Sequence, residues 1–134
     1  AVGVEQLKKL PNLIDQRRKN AEYFVGLFAE HSFLQIQKET GSSSWFGFSL
    51  ILKEKSPIYR SDLVGMLVEN KIECRPFVTG NFLKNVEVLK CFDYEISGTL
   101  ENSDYIDKHG LFVGNHHVGI SGELDYLFDT LKSY

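Results

Sequence analysis

Cysteine and proline are scarce: 134 residues contain two of the first and three of the second. One pair, Cys74 and Cys91, cannot staple a chain of this size, so stability has to come from a packed core, and a reduced, cytoplasmic setting is expected. Long hydrophobic runs are missing as well. Nothing approaches the roughly 20 apolar residues of a membrane-spanning helix, so no membrane association is expected. Neither sign of charge dominates, with 15 basic and 18 acidic residues interspersed for a net −3. The one dense basic run, Arg17-Arg18-Lys19, is spread around a cylinder by helical geometry. A coherent basic surface for phosphate backbones is therefore not expected, and nucleic acid is excluded as a partner class.

What is present suits a globular domain. Hydrophobic residues make up 43% and aromatics 13%, enough for one core, and the length favours one domain. The chain opens on Ala1 with Val4, Leu7 and Leu10 already at helical spacing and no capping residue ahead of them. That pattern is expected of a piece of a longer chain.

Periodicity predicts helix over 4–10 and again over 12–31, with Pro11 at the joint, because proline suits a first turn and disrupts an interior. Ile14, Arg17, Ala21, Phe24, Val25 and Phe28 fall on one stripe. "FLQIQK" (33–38) and "SWFGFSLILKE" (44–54) alternate as strands, the second through Phe46, Phe48, Leu50 and Leu52, with "ETGSSS" turning between them. Ser61 is expected to cap a helix through Asn70 with Leu63, Val64, Leu67 and Val68 inward. A third strand at 72–76 ends at Pro76, and 77–100 reads as irregular apart from a turn near Val86–Cys91. Asn102 is placed as the cap of a helix that Gly110 ends. Strand 111–114 and a helix capped by Ser121, carrying Leu124, Leu127, Phe128 and Leu131, complete the chain. The fold class is α+β, a small, mostly antiparallel sheet against helices, without internal repeats.

The chemistry-bearing residues cluster in two segments, "CRPFVTGNF" (74–82) and "FVGNHH" (112–117). Each runs an apolar strand into Gly-Asn. Arg75, displayed at a strand end, has the planar fork that suits a phosphate or carboxylate; a surface pair with Glu73 is the plainer alternative. Thr79 and Asn81 flank Gly80, which lets a backbone approach a ligand closely, though turns use the same residues for local reasons. Asn115 and His116 follow the later strand, with His117 beside them, as acid–base groups or as structural histidines bonded to backbone. A metal site is not expected, since neighbours on an extended chain face opposite ways. No catalytic residue is expected within the chain: Cys74 and Cys91 lack the electropositive setting of an activated thiolate.

"GVEQLKKLPNLIDQRRKNAEYF" resembles the entry to the small domain of the DegT/DnrJ/StrS nucleotide-sugar aminotransferases. "RPFVTGNF", "LKCFDYEISGTLENSDYID" and "GLFVGNHH" are similar to the branch that removes the 3-hydroxyl from nucleotide-linked 4-keto-6-deoxyhexoses in lipopolysaccharide biosynthesis. The resemblance runs over nearly the whole chain, making 1–134 the carboxy-terminal small domain of a fold-type I parent. It implies pyridoxal or pyridoxamine 5'-phosphate as cofactor, held mainly by a large domain outside this chain, and a homodimer. A reductase partner is left open. It also implies that the fragment is inactive alone. The coenzyme's own residue, histidine in dehydratases and lysine in aminotransferases, lies outside the chain. On this reading Arg75 contacts an anion, and Thr79, Asn81, Asn115 and His116 form a polar wall, the two Gly-Asn tips converging on one rim of the substrate cleft. A sugar aminotransferase, or a free-standing α+β ligand-binding or dimerisation module, are the alternatives.

Overall fold

Alternation over Gly47–Leu52 decides how the sheet lies: Phe48, Leu50 and Leu52 are buried, and Gly47, Ser49 and Ile51 point the other way. The computed structural model describes residues 2–132. Its elements are α1 (Val2–Phe28), β1 (Leu34–Ile36), β2 (Gly47–Leu52), α2 (Arg60–Glu69), β3 (Cys74–Arg75), α3 (Val86–Leu89), α4 (Glu101–His109), β4 (Gly110–Gly114) and α5 (Ser121–Lys132), with a 3-10 turn at Phe82–Lys84. The strands pair antiparallel in the order β1-β2-β4-β3. This is the α+β arrangement expected.

Register puts the apolar residues on one face: Leu34 opposite Leu52, Leu50 opposite Leu111, and both Phe48 and Cys74 opposite Val113. Ala21, Phe24 and Phe28 of α1, Leu63 and Leu67 of α2, and Leu124, Leu127 and Leu131 of α5 bury against it. The Phe24 ring stacks on Phe28 at 4.8 Å and on Phe48 at 4.3 Å between centroids. Each such side chain contributes roughly 1.5–3 kcal/mol on leaving water. The opposite face of the sheet carries Gly47, Ser49, Phe112, Gly114 and Arg75, and α4 covers only part of it.

Five local expectations are corrected. Pro11 lies inside α1 and divides nothing. Its missing N–H forfeits one helical bond, but the flanking Glu5-Gln6-Leu7-Lys8-Lys9-Leu10 are strong helix formers extending a helix already nucleated downstream. The strand predicted from residue 44 starts at Gly47, because Trp45 adopts φ 49° and turns into the core at 7% exposure, leaving Phe46 74% exposed. At α2 the N-cap is Tyr59 rather than Ser61, and its N–H donates to Asp62 Oδ2 in the first turn at 3.0 Å; Val68 points to solvent. Asn102 sits inside α4, and the helix opens instead with Asp104 N–H donating to Leu100 carbonyl at 2.8 Å.

His31 is a buried titratable side chain beside this core. Its ring lies against Phe28, Phe33 and Phe128, and its Nδ1 has no hydrogen-bond partner among the described residues. Burial first, and then the charge of Lys53, hold its pKa below the ordinary histidine value. A depressed folded pKa means the unfolded chain takes up the proton first. The stability His31 contributes is thus complete above the unfolded pKa of about 6.5 and is lost as pH falls through the folded value. Urea midpoints measured between pH 7 and pH 5 should fall for the natural chain and fall less steeply for His31→Phe. Equal slopes would remove His31 from the account.

Candidate functional site

Because β3 and β4 are antiparallel, with Arg75 opposite Phe112, the chain leaves β3 beside the start of β4 and leaves β4 beside the start of β3. The segments Thr79–Asn81 and Asn115–His116 therefore emerge at opposite ends of the strand pair. The expected convergence of the two Gly-Asn tips on one rim does not occur. Sequence spacing showed two similar segments but carried no information on their relative direction.

Asn81 is buried as the cap of the 3-10 turn. Its Oδ1 accepts from Leu83 N–H at 3.1 Å and its Nδ2 donates to Asp104 Oδ1 at 2.9 Å. Lys84 joins the same cluster, 2.6 Å from Asp107 and 3.1 Å from Asp104. Bonds from Asn81 and then Lys84 hold the Asp104 carboxyl below its usual range, and Lys84 does the same for Asp107. Gly80 needs its glycine: φ is 61°, and a Cβ would strike the Asp107 carboxylate. Thr79 is exposed on this turn.

At the other end Asn115 is 8% exposed, and its whole amide is engaged. Nδ2 donates to the Arg17 carbonyl at 3.0 Å and to the Trp45 carbonyl at 2.9 Å, while Oδ1 accepts from Asn20 Nδ2 at 3.0 Å. Asn20 Nδ2 is also within bonding distance of the His116 and Val118 carbonyls, at 3.0 and 2.8 Å, and Gln16 Nε2 donates to Asn20 Oδ1 at 3.0 Å. Asn20 and Asn115 thus lash α1, the turn before β2 and the β4–α5 connection together. Asn20 was missed from sequence. Its signal was a polar residue between Arg17 and Ala21 on the buried stripe of α1. His116 and His117 are exposed and their rings stack at 4.3 Å, so the chain is bent there rather than extended with alternating faces.

Arg75 sits with Asn115 around a cleft of about 440 Å³ at the sheet edge, beside Arg17, Glu73, Phe46 and Glu123. Its Nε and Nη2 both reach Glu73 Oε1, at 3.0 and 2.7 Å, an exposed pair of the kind weighed from sequence. The cleft combines two guanidinium groups with two carboxylates. It can hold an anion at the cationic side but offers no nucleophile paired with a base. Burial pushes the Cys74 thiol up, away from a reactive thiolate, and Cys91 is exposed. Among the described residues no three His, Cys, Asp or Glu side chains group as a metal site, and no helix is long and apolar enough to cross a membrane.

The described residues form an α+β domain, an antiparallel sheet with its core helices packed on one face and polar loops at both ends. The chain belongs to the DegT/DnrJ/EryC1/StrS aminotransferase family, whose model matches residues 1–131. It is 62% identical over 98% of its length to a GDP-4-keto-6-deoxy-D-mannose 3-dehydratase of Yersinia pseudotuberculosis, of which it covers 34%. A lipopolysaccharide biosynthesis protein of Salmonella typhimurium is 31% identical over 100% of the chain and covered to 31%. Among solved structures, the Escherichia coli GDP-4-keto-6-deoxy-D-mannose-3-dehydratase with bound hydrated PLP superposes at TM-score 0.94 with 56% identity, over 97% of this chain and 33% of that one. The chain thus spans about a third of the length of the relatives it matches.

Proposed function

We propose that this chain is the small, carboxy-terminal, substrate-side domain of a cytoplasmic nucleotide-sugar 3-dehydratase. The parent uses pyridoxal or pyridoxamine 5'-phosphate and removes the 3-hydroxyl of a GDP-4-keto-6-deoxyhexose on the route to lipopolysaccharide dideoxysugars. The observation that carries the reading is high identity to such a dehydratase across 98% of the chain, both loop segments included. A homodimer is part of the proposal, and a reductase acting on the product is its next partner class.

On this reading the coenzyme is held mainly by the large domain outside this chain, as the family resemblance implies. The coenzyme supplies the electron sink for loss of the hydroxyl. The role proposed for this domain is to hold the nucleotide-sugar and exclude water. Arg75, Thr79 and His116 carry exposed side chains and are the proposed contacts, Thr79 with a different part of the elongated nucleotide-sugar from the other two because it lies at the opposite end of the strand pair. Asn81 and Asn115 place the backbone that presents them.

The test is the reaction of the full-length parent with GDP-4-keto-6-deoxymannose, the coenzyme and glutamate, followed by mass spectrometry. The dehydratase reading predicts a product lighter by one oxygen atom. A product with an amine in place of the keto oxygen makes the parent an aminotransferase. In the same parent, Arg75→Ala should raise the KM for the nucleotide-sugar about tenfold, the size of one charge-assisted contact, with coenzyme absorbance unchanged. An unaltered KM would leave Arg75 to its pair with Glu73.

A further inference from the structure

The sheet face turned away from the core helices carries a ladder of phenylalanine rings, two of which, Phe46 and Phe112, also border the Arg75 cleft. Phe46 packs on Phe112 at 6.1 Å between centroids, and Phe112 on Phe77 at 6.2 Å. Glycines let these rings lie against the sheet. A Cβ on Gly47 would sit 2.9 Å from the Phe112 ring, and one on Gly110 would strike the Phe77 ring. The groove they form has a volume of about 260 Å³ and is lined without any charged side chain, Gln37 and Ser49 being among its polar members.

Two groups at its rim are unfavourably placed in this chain alone. Phe46 is 74% exposed and Val78 is 86% exposed. Val78 also has φ 26°, a region a β-branched residue seldom enters, and such strain persists where surrounding contacts enforce it. The turn that contains it is closed by Gly80 N–H donating to the Phe77 carbonyl. Covering the ladder would take Phe46 and Val78 out of water and hold the turn.

We propose that this aromatic face is a docking surface for the large domain of the parent protein. The inference rests on the reading of the chain as one domain of a longer enzyme. The occupant follows from two observations. About two thirds of the length of the matched relatives lies outside this chain, 34% of the Yersinia protein being covered. The groove's lack of charge disfavours a phosphate-bearing ligand and suits an apolar protein surface.

The test uses the full-length parent with Val78 replaced by the photo-cross-linker benzoylphenylalanine (Val78→benzoylphenylalanine). Irradiation should join position 78 to a peptide outside the 134 residues. A cross-link to a peptide within them would mean a second copy of this domain covers the face, and no cross-link would mean nothing does; either overturns the proposal. Hydroxyl-radical footprinting of the unsubstituted parent reads the same face without a substitution. Phe46 should oxidise at least about fivefold more slowly than Tyr59, which is 79% exposed here. Equal rates contradict the proposal. Dehydratase activity is assayed on the same sample: an active parent with an open face sinks only the docking surface, and a protected face in a parent lacking that activity sinks only the functional reading.

Discussion

Asn115→Ala should destabilise the chain by about 3 kcal/mol, because it strands several buried polar groups at once and each costs roughly 1–3 kcal/mol when left unpaired. The Arg17 and Trp45 carbonyls lose their donor, and Asn20 Nδ2 loses one acceptor. Asn20→Ala should cost a similar amount, since it releases Asn115, His116 and Val118 together. The double substitution should fall well short of the sum, as expected of residues sharing one network. Urea unfolding followed by fluorescence is a convenient readout. Trp45 is the chain's single tryptophan, is buried, and has its own carbonyl in the network. If Asn115→Ala left stability within about 0.5 kcal/mol, the range of an ordinary surface change, the fastening role would be wrong and a direct ligand contact would become the better account.

Gly110→Ala is expected to cost about 2–3 kcal/mol for a steric reason. Gly110 joins α4 directly to β4 with φ −102°, a conformation open to any residue, so backbone preference is not at issue. The added methyl would lie 2.6 Å from the Ile106 carbonyl oxygen and against the Phe77 ring. The ring can swing aside, but the carbonyl belongs to the last turn of α4 and cannot move without it. Gly110→Ala combined with Phe77→Ala should therefore recover only part of the loss in a thermal unfolding comparison. Full recovery would show that the ring alone was the obstacle.

What could be read from the sequence followed the strength of local periodicity. Phe48, Leu50 and Leu52 alternate because one face of β2 is buried, and Leu124, Leu127 and Leu131 recur because α5 lies on that face. Phe46 continued the alternation in the sequence but not in space, because a positive φ at Trp45 depends on the cavity that Trp45 fills. The two Gly-Asn segments stand out in the sequence by their similarity. Their meaning depended on strand order: with β4 inserted between β2 and β3, antiparallel pairing sends the segments apart. Asn115 looked like part of a ligand wall because amides serve ligands and backbones equally well. Only its partners, Arg17 and Trp45 from distant parts of the chain, identify it as a fastener. The family resemblance was visible because it is carried by whole segments rather than by any one residue.

The account's central claim is that this domain supplies one side of a nucleotide-sugar site whose chemistry and opposite wall lie in the rest of the parent. Calorimetric titration with a GDP-sugar, run on the 134-residue chain and on the full-length parent, tests it most directly. The account predicts that the chain alone binds at least roughly a hundredfold more weakly, since half a pocket forfeits the contacts of the other half. Comparable affinity in the two titrations would contradict it.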